Sequence, residues 1–140
     1  MAESLVIDCS VAAKWVLPEP GRPAARLLLD RAGAGEITML APDLILVEFA
    51  SLLSKQHRRK LISAAVADKS FDLFTQIAPT LVDTRPRLDA ALALSFEYGA
   101  SLWDCVYVVL AIECECPCLT ADKRLLRSPI GKHANLRLLD

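Results

Sequence analysis

The sequence predicts a three-layer α/β fold in which helices cover both faces of a five-stranded, mostly parallel sheet. Short aliphatic runs rich in β-branched residues alternate along the chain with longer amphipathic segments. This alternation is typical of parallel strands that are joined by right-handed helical crossovers. The 140 residues contain no internal repeat or low-complexity segment, so we expect one domain over residues 1–140.

Five short apolar runs are predicted to form the strands. Each of them is too short for a helix, and the first combines leucine with two β-branched residues, which favour strands. The predicted strands cover residues 5–7, 37–40, 81–82, 118–120 and 136–138.

The segments between these runs are predicted to be helical. Pro42 is expected in the first turn of a helix and Gly99 after the last turn of another. In the helix that ends at Gly99, we expect Leu88, Ala91 and Leu92 to share one face. The predicted helices cover residues 10–16, 23–32, 42–60, 63–78, 87–98 and 102–112, with a short helix from about residue 122.

Composition and charge limit the function classes. The chain is 54% hydrophobic, and its 16 basic and 17 acidic side chains leave a net charge of −1. A nearly neutral protein is not a general polyanion binder, so a nucleic acid has to be held by a local patch or a metal. Residues 1–4 lack the basic start of a signal peptide, and charges interrupt every long apolar stretch. We therefore expect a soluble, cytoplasmic protein with no membrane segment.

The five cysteines are expected to be free thiols. An odd number of cysteines in a chain with this composition argues against a disulfide framework. A zinc site in the segment 114–118 is the alternative, but its cysteines are not separated by two residues as in most zinc sites. The cysteines are Cys9, Cys105, Cys114, Cys116 and Cys118, and only His57 and His133 could complete such a site.

Four acidic residues stand where a solvated carboxylate is not expected. Asp8 follows the first predicted strand and Asp122 comes shortly after the fourth, at the edge where open parallel sheets place their ligand crevice. Glu48 and Asp104 are the only charged residues in the apolar stretches 44–54 and 98–112. Charged groups are rarely buried unless they are paired or bind a metal, so these four acids are the candidate site.

Each acid also has a purely structural interpretation. Asp8 and Asp122 could cap helices, Asp104 could form a capping box with Ser101, and Glu48 could emerge at a helix edge. Taken together, the four favour a metal site, because two carboxylates 4 Å apart repel by roughly 4 kcal/mol at an effective dielectric of 20. An all-oxygen acidic site suits Mg²⁺ or Mn²⁺, and such ions activate water for attack on a phosphodiester.

The segments around the four acids resemble those of a known family. VIDCSVAAKWVLPE, PDLILVEFASLL, YGASLWDCVYVVLA and CLTADKRLL are similar, in this order, to the signature segments of PIN-domain ribonucleases. The resemblance is closest to the VapC-type toxins of toxin–antitoxin pairs. Cys105 departs from the family pattern, which usually has a small residue such as alanine there.

The resemblance implies roles for individual residues. Asp8 and Asp104 correspond to the most direct metal ligands, while Glu48 and Asp122 complete the acidic pocket, partly through water. Ser10 and Thr120 match hydroxyl positions beside that pocket, although turn and cap chemistry explains them equally well.

The resemblance also implies an activity and partners. It implies a PIN-like five-stranded parallel sheet, a homodimer, Mg²⁺- or Mn²⁺-dependent endoribonuclease cleavage of RNA, and a cognate antitoxin that covers the site. The basic residues at 55–60 and at 123–124 could contact RNA phosphates, or could form solvated helix ends.

Two other functions remain open at this point. A receiver-like signalling domain also places acids at strand ends, with Asp83 as the phosphoacceptor. This alternative leaves Glu48 and Asp104 without a role. A non-catalytic interaction module is the second alternative, and it predicts that no activity depends on the four acids.

Overall fold

The computed structural model describes residues 2–139. Its strands are β1 (Glu3–Ile7), β2 (Ile37–Pro42), β3 (Thr80–Val82), β4 (Cys118–Thr120) and β5 (Leu136–Leu138). Its α-helices are α1 (Cys9–Val16), α2 (Arg22–Gly33), α3 (Leu44–Arg58), α4 (Ala64–Ile77), α5 (Leu88–Tyr98), α6 (Leu102–Glu113), α7 (Lys123–Arg127) and α8 (Pro129–His133).

The strands form one sheet in the order β3-β2-β1-β4-β5. All four pairings are parallel, with Leu5 beside Met39 and Ile7 beside Leu119. The carboxyl ends of all five strands therefore lie at the same edge of the sheet. The chain adds strands on one side of β1 and then on the other, so its switch point lies between β1 and β4, where such sheets open a crevice. The predicted α/β fold is confirmed.

The core lies on both faces of the central strands. Val6 and Ile7 in β1 are completely buried, as expected for a strand that is covered by helices on both faces. Helix α6 is buried from Cys105 to Ala111, and a helix that is apolar on all sides belongs in a core. Phe49 of α3 stacks on Phe74 of α4, with ring centroids 4.2 Å apart.

The start of α3 differs from the prediction. Pro42 was expected in the first helical turn, but it is the last residue of β2 and pairs with Val82. The Asp43 amide continues the ladder by donating to the Val82 carbonyl at 2.8 Å. A proline is tolerated at a strand end, so pairing with β3 outweighs its local preference for a helix start.

The chain after β4 also differs from the prediction. The single short helix expected from residue 122 is two helices, because Ser128 ends α7 and begins α8. Its hydroxyl donates to the Leu125 carbonyl at 2.6 Å and accepts from the Gly131 amide at 3.4 Å. A Cβ atom on Gly131 would stand 2.4 Å from the Leu125 carbonyl oxygen, so the close approach of the two helices requires glycine there.

Helix α5 begins one residue later than predicted, after a 3-10 turn over Arg85–Arg87. Gly99 ends it in the left-handed conformation, with φ of 64°, as predicted. The expected apolar face is only partly used by the core: Ala91 is buried, whereas Leu88 and Leu92 are exposed.

The remaining bulk expectations concern membranes and thiols. No helix within residues 2–139 is long and apolar enough to cross a bilayer. All five cysteines are free. Cys116 and Cys118 are buried, and Cys114 is exposed beside them.

Candidate active site

Asp8 lies at the carboxyl end of β1 and caps α1. Its Oδ1 atom accepts hydrogen bonds from the Ser10 hydroxyl at 2.5 Å and from the Val11 amide at 3.3 Å. The carboxylate is nevertheless only 7% exposed. The capping interpretation is therefore correct, but both of these bonds end on the same oxygen, which leaves Oδ2 out of the cap.

Ser10 and Thr120 join the ends of the two strands at the switch point. The Ser10 hydroxyl oxygen accepts from the Ala121 amide at 2.9 Å and lies 3.4 Å from the Thr120 hydroxyl oxygen. Thr120 is fully buried, and its hydroxyl oxygen accepts from the Asp122 amide at 3.0 Å. These two hydroxyls thus connect the segment that carries Asp8 to the segment that carries Asp122.

Asp122 is exposed and caps α7. Its Oδ1 atom accepts from the amides of Arg124 at 2.9 Å and Leu125 at 3.3 Å. As with Asp8, both bonds end on one oxygen. A capping aspartate with a second oxygen outside the cap can serve as a ligand as well.

Glu48 and Asp104 approach from helices α3 and α6. Glu48 is partly buried, and its Oε1 atom accepts a hydrogen bond from the Tyr107 hydroxyl at 2.7 Å. Asp104 is also partly buried, and its backbone amide donates to the Ser101 hydroxyl at 3.2 Å. Ser101 is therefore the helix cap, through the amide of Asp104, and its hydroxyl also lowers the pKa of the Asp104 carboxyl.

Tyr107 is a residue of the site that the sequence analysis missed. It is 59 residues away from Glu48, so no local pattern connects the two. Its position three residues after Asp104 was the available signal, because residues i and i+3 share one face of a helix.

The four acids share one electrostatic field. Burial raises the pKa of Asp8, and the negative charge of Asp104 adds to the rise. Burial raises the pKa of Glu48 to about 7, and the charges of Asp8 and Asp104 act in the same direction. The hydrogen bond from Tyr107 opposes this shift. Burial also raises the pKa of Asp104, and the charge of Asp122 contributes.

Within residues 2–139, no ion pair joins a basic side chain to any of the four acids. Five ion pairs join side chains within residues 2–139, and their acids are Glu3, Glu19, Glu36 and Glu113. Buried carboxylates without a cationic partner are unfavourable, which is the electrostatic condition that a bound cation relieves.

The donor set fits a hard divalent ion that retains water. In the described part of the chain, no three His, Cys, Asp or Glu side chains form a group ready to bind one ion directly. Carboxylate and hydroxyl oxygens suit Mg²⁺ or Mn²⁺, and Mg²⁺ usually keeps several waters and takes one or two carboxylates. Direct contact by two acids, with the other two acting through water, agrees both with the lack of a three-ligand group in the described residues and with the preference of Mg²⁺ for retained water.

The basic residues are distributed unequally around the acids. Arg124 lines a cavity of about 310 Å³ together with Asp104 and Asp122. The basic cluster 55–60 lies at the other end of α3, and Arg58 is ten residues beyond Glu48, which is roughly 15 Å along a helix.

The strand order argues against the receiver-like alternative. Asp83 follows β3, which is an edge strand separated from β1 by β2. In the flavodoxin-like order of receiver domains, the third strand is adjacent to the first. Asp83 therefore lies away from the switch point, and the receiver-like interpretation is wrong.

Two solved structures share the fold of this chain. A solved structure of PAE2754 from Pyrobaculum aerophilum is similar with a TM-score of 0.67 and 21% identity, over 90% of this chain and 86% of that one. The structure of VapBC2 from Rickettsia felis bound to a DNA fragment from their promoter is similar with a TM-score of 0.67 and 14% identity. That match covers 98% of this chain and 99% of the other.

No curated protein matches the sequence significantly. The family model described as PIN domain matches residues 5–130, a span that contains all four acids and both hydroxyls of the site. The chain belongs to the PIN domain family.

Proposed function

We propose that the protein is a Mg²⁺- or Mn²⁺-dependent endoribonuclease that hydrolyses RNA phosphodiester bonds. The observation that carries this proposal is the set of four carboxylates at one edge of the sheet. The pKa values of Asp8, Glu48 and Asp104 are raised, and no ion pair within residues 2–139 involves any of the four acids. Membership of the PIN domain family supports it.

The residues have distinct roles in this proposal. Asp8 and Asp104 bind the metal directly, and Glu48 and Asp122 complete the pocket through water. When it is bound, the ion supplies an activated water and positive charge for the phosphodiester under attack. Ser10 holds the Asp8 carboxylate in position.

Thr120 and the basic pair after Asp122 complete the assignment. The Thr120 hydroxyl oxygen accepts a hydrogen bond of 3.0 Å from the Asp122 amide and thereby holds the backbone there in position. Arg124 lines the acidic cavity, so Lys123 and Arg124 are better placed than the cluster 55–60 to contact RNA phosphates.

The proposed biological role is that of the toxin in a type II toxin–antitoxin pair, acting in the cytoplasm. Similarity to a chain of VapBC2, together with the resemblance of the signature segments to VapC-type toxins, supports this role. A cognate antitoxin is then the second partner besides RNA, and a basic side chain of that antitoxin enters the acidic pocket. Five free cysteines suit a reducing compartment.

A homodimer is part of the same proposal. Helix α5 exposes Leu88, Leu92 and Phe96, which recur every four residues and form one apolar stripe. Contiguous exposed apolar surface of this kind marks protein interfaces, and most dimers use the same patch on both subunits.

The experiment is an RNA cleavage assay with the Asp8→Ala variant. We expect the wild type to cleave in Mg²⁺ and to stop in chelator, and we expect Asp8→Ala to be inactive while its circular dichroism is unchanged. Asp83→Ala is the matched control, because Asp83 is an exposed aspartate after a strand of the same sheet but outside the cluster, and it should retain activity. Equal cleavage by wild type in Mg²⁺ and in chelator would contradict the proposal, and a non-catalytic interaction module would then be the better interpretation.

A further inference from the structure

Trp103 is an exposed tryptophan beside the acidic site. Its side chain is 55% exposed, whereas Trp15 is 1% exposed in the core. It directly precedes Asp104 and lies in the first turn of α6. Val47, which directly precedes Glu48 on α3, is 63% exposed. Both acid-bearing helices thus present an uncovered apolar side chain next to the acid.

These two side chains line one cleft. Together with Glu48 and Ser51 they enclose a cavity of about 330 Å³ between α3 and α6, which is within the range of small-molecule pockets. Glu48 belongs both to this cleft and to the acidic cluster. The cleft therefore opens directly beside the position where the scissile phosphate is bound in the proposed function.

We propose that this cleft binds one unstacked nucleobase of the RNA substrate, stacked on the indole of Trp103. The inference rests on the proposed ribonuclease function and specifies its substrate as a single-stranded or looped RNA. Proteins that read RNA commonly extrude a base and stack it on an aromatic side chain. The Ser51 hydroxyl lies in the same cleft and can hydrogen-bond to the edge of the base.

The charges around the cleft favour a base over other parts of the RNA. The carboxylates repel the phosphate backbone, so the neutral base is the part of a nucleotide that can enter a cavity lined by Glu48. The protein as a whole has a net charge of −1 and gains little affinity from general electrostatic attraction. Stacking is an attraction that does not depend on net charge.

The test combines tryptophan fluorescence with the anisotropy of an end-labelled single-stranded RNA oligonucleotide of mixed sequence, which measures affinity with or without Trp103. Both are recorded in the cleavage-deficient Asp8→Asn background with Mg²⁺ present. We expect RNA to quench the emission of exposed Trp103, while buried Trp15 emits unchanged. Trp103→Ala should weaken RNA binding by about tenfold, as alanine substitution at base-stacking positions does. Trp103→Phe keeps an aromatic ring and should retain most of the affinity while losing the quenching.

Two controls isolate the base. Leu61→Ala removes a more exposed apolar side chain, at 67% exposure, outside both the cleft and α5, and should leave RNA affinity unchanged. An abasic oligonucleotide of the same length keeps the phosphates and should not quench Trp103. It should bind the Trp103→Ala variant and its parent with equal affinity.

Several outcomes overturn the inference, and they are distinct from failure of the proposed function. If RNA affinity is the same with and without the indole, or if the abasic oligonucleotide quenches equally, no base stacks on Trp103. If Trp103→Ala instead converts a dimer to a monomer with unchanged RNA affinity, the cleft is a protein interface. In these cases the wild type still cleaves RNA in Mg²⁺, and the proposed function is unaffected. A wild type that neither binds nor cleaves RNA overturns both proposals.

Discussion

At the residue scale, the hydrogen bond between Tyr107 and Glu48 shows how the fold maintains an unfavourable charge. Burial raises the pKa of Glu48 to about 7, and the phenol lowers it by donating to the ionised form. The tyrosine is itself buried, at 3% exposure, so its hydroxyl has few alternative partners. Tyr107 therefore both positions the carboxylate and favours its metal-binding, ionised state.

Replacing Tyr107 by phenylalanine should weaken metal binding. Without the donor, the pKa of Glu48 rises further, so a smaller fraction of the carboxyl is ionised at neutral pH. We expect weaker Mn²⁺ binding at pH 7 by isothermal titration calorimetry, with much of the loss recovered at pH 8.5. Tyr98→Phe is the matched control, because Tyr98 stacks against His133 with ring centroids 4.9 Å apart rather than contacting a site acid. Equal loss in both variants would contradict a specific role for Tyr107.

The raised pKa of Glu48 also predicts a pH dependence of stability. The value is about 7 in the folded protein against 4.5 ordinarily, so between these values the folded state holds a proton that the unfolded state has lost. Without metal, the contribution of Glu48 to the free energy of unfolding is therefore greatest below pH 4.5. It falls as the pH rises from 4.5 to about 7. Glu48→Gln should reduce the measured fall and leave the part that comes from Asp8 and Asp104, whose pKa values are also raised. Urea denaturation in chelator from pH 4.5 to 8 will measure the difference. If the unfolding free energy changes equally with pH in the wild type and in Glu48→Gln, other groups cause the pH dependence.

At the scale of single elements, α6 combines a helix cap with a site acid. Ser101 caps the helix by accepting from the Asp104 amide, and this bond does not use the Asp104 carboxylate. Burial and the charge of Asp122 raise the pKa of that carboxyl, while the Ser101 hydroxyl lowers it. The cap stabilises the helix, and the charge destabilises the folded protein when no metal is bound.

Asp104→Asn and Ser101→Ala should therefore change stability in opposite directions. In chelator, we expect Asp104→Asn to be at least as stable as the wild type in thermal denaturation, and Ser101→Ala to lose about 1 kcal/mol. Mg²⁺ at a hundredfold excess over its dissociation constant should stabilise the wild type by about 2.7 kcal/mol and Asp104→Asn by much less. If Asp104→Asn is the less stable variant and gains equally from Mg²⁺, Asp104 is a structural residue only.

At the scale of the whole molecule, the parallel sheet brings the ends of β1 and β4 together at its switch point. Val6 and Ile7 of β1 pair with Cys118 and Leu119 of β4, so Asp8, directly after β1, comes beside Thr120, the last residue of β4. Helices α3 and α6 then direct Glu48 and Asp104 towards the same edge. Helix α5 lies outside this arrangement and leaves its apolar stripe uncovered.

The stripe on α5 predicts a dimer that one charge can disrupt. Phe96 is the most exposed large hydrophobic residue of the described chain, at 78%, so an aspartate there should not disturb the core. We expect the wild type to be a dimer by light scattering at micromolar concentration and Phe96→Asp to be a monomer with an unchanged circular dichroism spectrum. Phe71→Asp would be a poor control because that side chain packs against the core, whereas Leu61→Asp, on an exposed residue outside α5, should remain dimeric. A monomeric wild type would contradict the assignment of the stripe.

Features that depend on near neighbours along the chain could be predicted from the sequence. The apolar runs and turn residues predicted all five strands to within two residues at each end, and Gly99 and Ser101 occupy their expected capping positions. The isolation of Glu48 and Asp104 in apolar stretches identified them before any contact was known. These signals are local because helix caps and strand alternation depend on residues within about one turn or pleat.

Which distant groups meet, and which surfaces stay exposed, depends on the folded arrangement of the whole chain. The pairs Glu48–Tyr107 and Ser10–Thr120 are 59 and 110 residues apart, and β3 extends β2 through Pro42 against its local preference. The exposure of Trp103 follows in the same way, because an apolar side chain is buried only if another element covers it. Such contacts depend on how the chain closes into a sheet and packs its helices, which no window of neighbouring residues specifies.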